Sequence, residues 1–228
     1  MVSSMRKVLI LDTETTGLDP ATSVAIEVAC IVFDVINGCA IESYATLIHH
    51  DIDENPAYAV NKIPIEAIRG GSEPDLVWDR VEHLAIKCDA IIAHNAEFDR
   101  GFVPELLVPW ICSKNDLVWP RCHKPGSSLV NTALDHGLGV AHAHRAMADC
   151  ELLSRLFTRL HDEGVDLATF LSRGLRPKAP FRALVSFEEN SKAKAAGFRW
   201  EPVSKRWLKT MAIEDAEALP FSVVEVHT

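Results

Sequence analysis

The chain has 228 residues, 48% of them apolar, and a formal net charge of −9. That is enough apolar material for one α/β unit with a small appendage, and too much for a disordered chain. No apolar run reaches bilayer length and residues 1–7 lack a signal-peptide apolar region, so a cytoplasmic protein without membrane contact is expected.

Residues 7–12 (KVLILD) predict a buried strand. Residues 25–34 and 39–48 predict two more, joined through Asn37-Gly38, so the sheet is expected to open as an antiparallel meander. Residues 52–72 are polar and turn-rich, with a short helix near 63–68. Glu73-Pro74 opens an amphipathic helix to about residue 87, with Leu76, Val77, Val81, Leu84 and Ala85 on one face. Residues 89–94 (DAIIAH) predict a fourth strand, and Asn95 is placed to cap a helix carrying Phe98, Phe102 and Leu106. A short strand is expected at 110–112, and a helix over 127–136 stopped by Gly137. A long helix follows over 145–161, with Leu152, Leu153, Leu156 and Leu160 inward and Gly164 at its end, then a turn or helix over 166–171. Strands alternating with helices give an α/β class.

Residues 173–180 (RGLRPKAP) read as a linker. Beyond it a strand is expected at 183–187, a helix over 190–196 stopping at Gly197, a hairpin over 199–209 and a last strand at 222–226. The expected organisation is a main domain over 1–173, a linker over 174–181 and a small α+β module over 182–228. Residues 173–210 hold ten Lys/Arg against three Glu, a local +7 that leaves −16 for the rest of the chain. A basic tail on an acidic body is the asymmetry of a nucleic-acid appendage. Trp200 and Trp207 stand among these cations, where they either stack bases or form the small core, and core is favoured for at least one. Six widely spaced cysteines without a Cys-x-x-Cys pair make neither a disulfide framework nor a zinc finger, and Cys122-His123 has no second pair to complete a site.

Three short segments carry the chemistry. Asp12-Thr13-Glu14-Thr15-Thr16-Gly17-Leu18 ends the first strand, and period two puts Asp12 and Glu14 on one face. His94-Asn95-Ala96-Glu97-Phe98-Asp99 leaves the fourth strand. His144-Arg145-Ala146-Met147-Ala148-Asp149 starts the long helix. Four carboxylates gathered in one cleft would repel strongly unless hard divalent cations, magnesium or manganese, held them.

In this order the segments resemble the DEDDh branch of the DnaQ-like 3′→5′ exonucleases, over roughly residues 6–165. Trp110-Ile111-Cys112 and Asp149-Cys150 are similar to the surroundings in its exonuclease X group. The sister branch has tyrosine where this chain has Arg145. The resemblance implies an RNase H-like mixed sheet flanked by helices. It implies two Mg²⁺, with Mn²⁺ as substitute, held by Asp12, Glu14, Asp99 and Asp149, and His144 as general base. It also implies Thr15 and Leu18 as contacts to the terminal nucleotide, with Asn95 and Phe98 lining the pocket; an ordinary core role is the rival for Leu18. The family often has a histidine at the position of Asn61. The expected substrate is a DNA 3′ end, single-stranded or frayed, in repair or turnover, with RNA the alternative. A polymerase proofreading subunit is a rival, set against the absence of any glutamine for a Gln-led clamp peptide. A catalytically silent nucleic-acid-binding module is a rival of another class. The sequence carries no signal for an oligomeric state.

Overall fold

Side chains alternate along the first strand, β1 (Lys7–Thr15), and send two apolar sets to opposite faces of one sheet. Val8 and Ile10 enter one core cluster, Leu9 and Leu11 another. The computed structural model describes residues 5–122, 126–140 and 145–226. β2 (Ala25–Asp34) pairs antiparallel with β1, and β3 (Cys39–Leu47) antiparallel with β2, in the expected meander. Gly38 turns the hairpin at φ 65°. Three helices follow: α1 (Tyr58–Asn61), α2 (Ile65–Arg69) and α3 (Pro74–Ala85). β4 (Ala90–Ala93) pairs parallel with β1, and after α4 (Ala96–Arg100), β5 (Trp110–Cys112) pairs parallel with β4. The order β3-β2-β1-β4-β5 is a mixed sheet.

Helices cover both faces. α5 (Leu129–Asp135), α6 (Ala146–Asp162) and α7 (Leu167–Ser172) bury Val8, Ile10, Ala29, Ile31 and Phe33. α3 covers Leu9, Leu11, Val28, Cys30 and Val32 with Val77, Val81, Leu84 and Ala85. Leu76, expected on that stripe, is 68% exposed, because it lies one residue, or about 100°, from Val77 around the helix. α4 is shorter than expected. It ends at Arg100, so Phe102 and Leu106 lie beyond it, although both still pack on the α3 side of the core.

The second sheet is small. After a 3-10 turn at Arg173–Leu175 come β6 (Lys178–Ala183), α8 (Asn190–Ala195), β7 (Arg199–Glu201), β8 (Arg206–Ala212), α9 (Ile213–Glu217) and β9 (Val223–Glu225), in the sheet order β7-β8-β6-β9. β6 begins inside the stretch that composition reads as a linker and stops where the sequence places the strand's start. Ala179, Phe181 and Ala183 alternate inward against Met211, Ala193 and Phe198, and that pairing overrides the turn-like Pro180. Lys178 Nζ meets Asp116 Oδ2 at 2.5 Å, and Asp116 also accepts from Cys112 N, so the beginning of β6 is tied to the end of β5.

Trp119 and Phe157 stack at 5.8 Å with an 8° interplanar angle, and Phe33 meets Phe157 edge-on at 5.8 Å. Trp119 Nε1 donates to Ser113 O at 2.7 Å, so the indole is buried with its donor satisfied. All six cysteines are free, and four are buried. Phe157→Ala is therefore expected to cost roughly 3–5 kcal/mol in urea unfolding followed by tryptophan fluorescence. A loss under about 1 kcal/mol would contradict this packing.

Candidate active site

Asp12 and Glu14 lie on the α6 side of β1, two residues apart and so on one face. Asp149 comes from the first turn of α6. One carboxylate oxygen from each of Asp12, Glu14 and Asp149 lies within 4.8 Å of the other two. Asp99, from α4, is 2% exposed, and its Oδ1 accepts from Thr13 N at 3.1 Å and Thr13 Oγ1 at 2.9 Å. These two bonds fix Asp99 to the back of β1, next to Asp12. Three distant segments thus converge as the sequence suggests. His144 lies outside the described residues, as does His123 of the Cys122-His123 pair.

The electrostatics follow from burial, with crowding added to it. Burial first, then Asp99, Asp149, Glu14 and Glu27, push the Asp12 carboxyl well above the usual range. Glu14 is pushed up to about 7 by burial, then Asp149 and Glu27, with Arg145 opposing. Burial pushes Asp99 up to about 7 against the Thr13 hydrogen bonds, with Asp149 adding to the rise. An all-oxygen donor set of carboxyls this close together fits a hard divalent cation such as Mg²⁺ or Mn²⁺.

Two positioning devices were not legible beforehand. Glu27, on β2 directly opposite Glu14, is 5% exposed. Its carboxylate takes a forked pair from Arg145, with Nη2–Oε1 at 2.6 Å and Nε–Oε2 at 3.0 Å, and accepts from Ala146 N at 3.1 Å. One buried acid thereby fixes the start of α6, three residues before Asp149. An acid inside the apolar run AIEVACIVFD was the available signal, since buried charge requires a partner. The second device is Asn61. It is buried, donates from Nδ2 to Thr15 O at 3.1 Å, and accepts at Oδ1 from Asn55 Nδ2 and Ile63 N. Asn61 therefore ties α1 to the strand end that carries Glu14 and Thr15.

The expected nucleotide contacts behave differently from one another. Leu18 is 86% exposed, which removes an ordinary core role. Thr15 is buried and donates from Oγ1 to Gly17 O at 2.6 Å, leaving its side chain committed. Asn95 does not cap α4 with its side chain. It sits at φ 89°, a left-handed conformation that asparagine tolerates better than most residues. His94 supports that bend. Its Nε2 donates to Ser127 O at 3.1 Å, so Nδ1 accepts from Ser113 Oγ at 2.9 Å, and burial lowers the imidazole to about 4, keeping it neutral. Phe98 is half-buried, and its ring lies 4.9 Å from that of Phe102.

A family model described as Exonuclease matches residues 9–108. DNA polymerase III subunit epsilon of Treponema pallidum is 31% identical over 166 residues, covering 65% of this chain and 74% of that protein. The chain belongs to the DnaQ-like exonuclease family. Exodeoxyribonuclease 10 of Escherichia coli K12 is 30% identical over 155 residues, and the match takes in 64% of this chain and 65% of that protein's length. The solved structure of exonuclease X in complex with 5′ overhanging duplex DNA aligns at TM-score 0.57 and 27% identity, covering 73% of this chain and 99% of that one. The mixed sheet is therefore that of the DnaQ-like exonucleases, and the acidic cluster fits the divalent-metal dependence of the family. Residues 179–226 match a separate model, a domain of unknown function (DUF8626).

Raised carboxyl pKa values have a signed consequence for stability. The folded state holds protons on Glu14 and Asp99 that the unfolded chain releases near pH 4, so their contribution is intact below about pH 4 and lost as pH rises through about 7. In a chelator, the thermal midpoint should fall between about pH 5 and about pH 8, and Mg²⁺ should raise it more at the higher pH. A midpoint at about pH 8 that ignores Mg²⁺ would contradict the reading of the cluster as a cation site.

Proposed function

We propose that the protein is a metal-dependent 3′→5′ exonuclease that hydrolyses phosphodiester bonds at DNA 3′ ends and releases nucleoside 5′-monophosphates. The observation that carries this is the convergence of the Asp12, Glu14 and Asp149 carboxylates within 4.8 Å, beside buried Asp99. The relatives named exodeoxyribonuclease and exonuclease X, the latter solved with duplex DNA, support DNA as the substrate.

Asp12, Glu14 and Asp149, with Asp99 behind them, would hold two Mg²⁺, with Mn²⁺ as substitute. Bound there, such ions supply positive charge to the scissile phosphate and acidify water. The chain's own residues do the rest. His144 accepts the proton of the attacking water at a ring nitrogen, a task the carboxylates perform poorly while they ligate cations. Glu27 and Arg145 anchor the segment immediately after His144. Thr15 offers its backbone N–H to the terminal 3′-hydroxyl. Exposed Leu18 supplies the apolar platform for the last base, and Asn95 and Phe98 line the same pocket.

The organisation we propose is an exonuclease domain over 1–173 and a C-terminal module ending at 228; the sequence places the linker between them at 174–181, of which 178–181 belong to β6 of the module. Among the described residues, no helix is long and apolar enough to cross a membrane. A cytoplasmic role in DNA repair or turnover completes the proposal. The similarity to the Treponema pallidum epsilon subunit favours a second reading, a polymerase-associated proofreader, set against the lack of any glutamine for a Gln-led clamp peptide.

Incubation of 5′-labelled DNA and RNA oligonucleotides with protein and Mg²⁺ should shorten the DNA from its 3′ end and leave none shortened in a chelator. Asp12→Ala should abolish the ladder. His144→Ala should slow turnover roughly 10²–10⁴-fold with DNA binding retained. Loss of binding in His144→Ala would contradict its role as a base, and chelator-resistant degradation would remove the cation chemistry.

A further inference from the structure

The C-terminal sheet separates its aromatics from its arginines. Ala179, Phe181, Ala183 and Met211 point to one face and are buried with Ala193 of α8 and Ala216 of α9. Trp207 lies on this face, partly buried, and its Nε1 donates to Asn190 Oδ1 at 2.8 Å. Trp200, directly opposite on β7, meets it at 5.6 Å and 60°, and remains 48% exposed at the sheet edge. The tryptophans therefore belong to the packed side of the module, as expected for at least one of them.

The opposite face is covered at one end, where Ala212 is buried and Lys178 reaches Asp116, and open towards β7. Register places Arg199, Leu208, Arg182 and Val224 in one row across all four strands, with Arg206 one step along β8 on the same face. None of these residues is buried. Three other cations of the segment are paired: Arg176 with Asp215 and Glu214, Lys178 with Asp116, and Lys192 with Glu189. Among the described residues, Arg182, Arg199 and Arg206 form no ion pair. Glu201 stands opposite Arg206, but its carboxylate is turned into the hairpin, accepting from Val203 N at 2.9 Å and Ser204 N at 2.5 Å. Arg199 and Arg182, two strands apart, are separated by about 10 Å across the apolar ground of Leu208.

We propose that this open face binds the phosphate backbone of a single nucleic-acid strand, through Arg182, Arg199 and Arg206. Planar guanidinium groups without partners take phosphate oxygens in forked pairs, and a flat face with arginines at strand spacing fits an extended polyanion. Charge complementarity selects the occupant. Arg182, Arg199 and Arg206 bring three positive charges to one face on which Glu201 is turned into the hairpin, and this local cluster supplies the attraction in a chain of net −9. Contacts to phosphate carry no sequence preference, so DNA and RNA strands bind alike. The inference goes beyond the exonuclease reading and does not need it.

The test uses the full chain in a chelator, so that no hydrolysis occurs, with a labelled single-stranded oligodeoxynucleotide followed by fluorescence anisotropy over a salt series. The R182A/R199A/R206A variant should lower the slope of log affinity against log salt by about 2, for three lost phosphate contacts on a single strand. The corresponding triple lysine variant should recover most of the slope, because it keeps the charge, and circular dichroism of both variants should match the parent. An unchanged slope in the folded alanine variant would overturn the proposal. Polyglutamate competing as well as an RNA strand would overturn it too, since the face would then serve acidic protein. A slope that falls in a protein with no Mg²⁺-dependent nuclease activity would leave this surface standing and remove the exonuclease reading. Intact nuclease activity with an unchanged slope would do the reverse.

Discussion

Coulomb repulsion among Asp12, Glu14, Asp99 and Asp149 works against the fold that gathers them. It is strengthened because the carboxyls are partly or wholly withdrawn from water. The larger sheet withstands it because each acid is fixed from behind. Thr13 grips Asp99 with two hydrogen bonds, and the helix bearing Asp149 is held at its start by Glu27. Asp12 and Glu14 sit on a strand buried on both faces, which cannot turn them outward without exposing Val8, Ile10, Leu9 and Leu11. Stability is thereby traded for a local excess of negative charge that a divalent cation relieves, the compromise expected at a functional site.

Glu27 shows how closely the arrangement is balanced. It faces Glu14 across the β1–β2 ladder, and like charges in that relation destabilise a sheet. Arg145 reverses the sign of the local problem, neutralising Glu27 through a fork while lowering the proton affinity of Glu14. Immediately beyond, the ladder slips between Glu14 and Thr15, so that Ile26 is left over and turns into a separate small cluster with Ile63 and Ile68. The carbonyl of Thr15 is met by Asn61 at this bend. The strand end carrying the acidic pair is thus held by contacts from α1 and β2, not by the turn sequence alone.

Strand positions, the meander and the long α6 were readable because buried strands are apolar runs and α6 repeats its leucines at helical spacing. The acidic segments were readable because their order and neighbours resemble a known family. Glu27 and Asn61 were not, because their partners lie 118 and 46 residues away in sequence and only pairing brings them together. The length of α4 was overestimated because Phe102 and Leu106 continue an apolar pattern that the chain satisfies after leaving the helix. In the C-terminal sheet, the Pro-containing stretch that forms β6 looked like a linker, since strand pairing with β8 and β9 is invisible to local composition. The sequence left the tryptophans either stacking bases or forming the small core, with core favoured for at least one, and period two then sorts them and the neighbouring arginines onto opposite faces.

Carbon-detected NMR titration of the carboxyl groups, with and without Mg²⁺, tests the central claim that these acids are crowded until a cation joins them. Without the ion, Glu14 and Asp99 should titrate near 7. With it, the carboxyls should ionise at markedly lower pH, because the added charge reverses the sign of their surroundings. Carboxyl groups that titrate in the ordinary range near 4, and that Mg²⁺ leaves unmoved, would contradict the account.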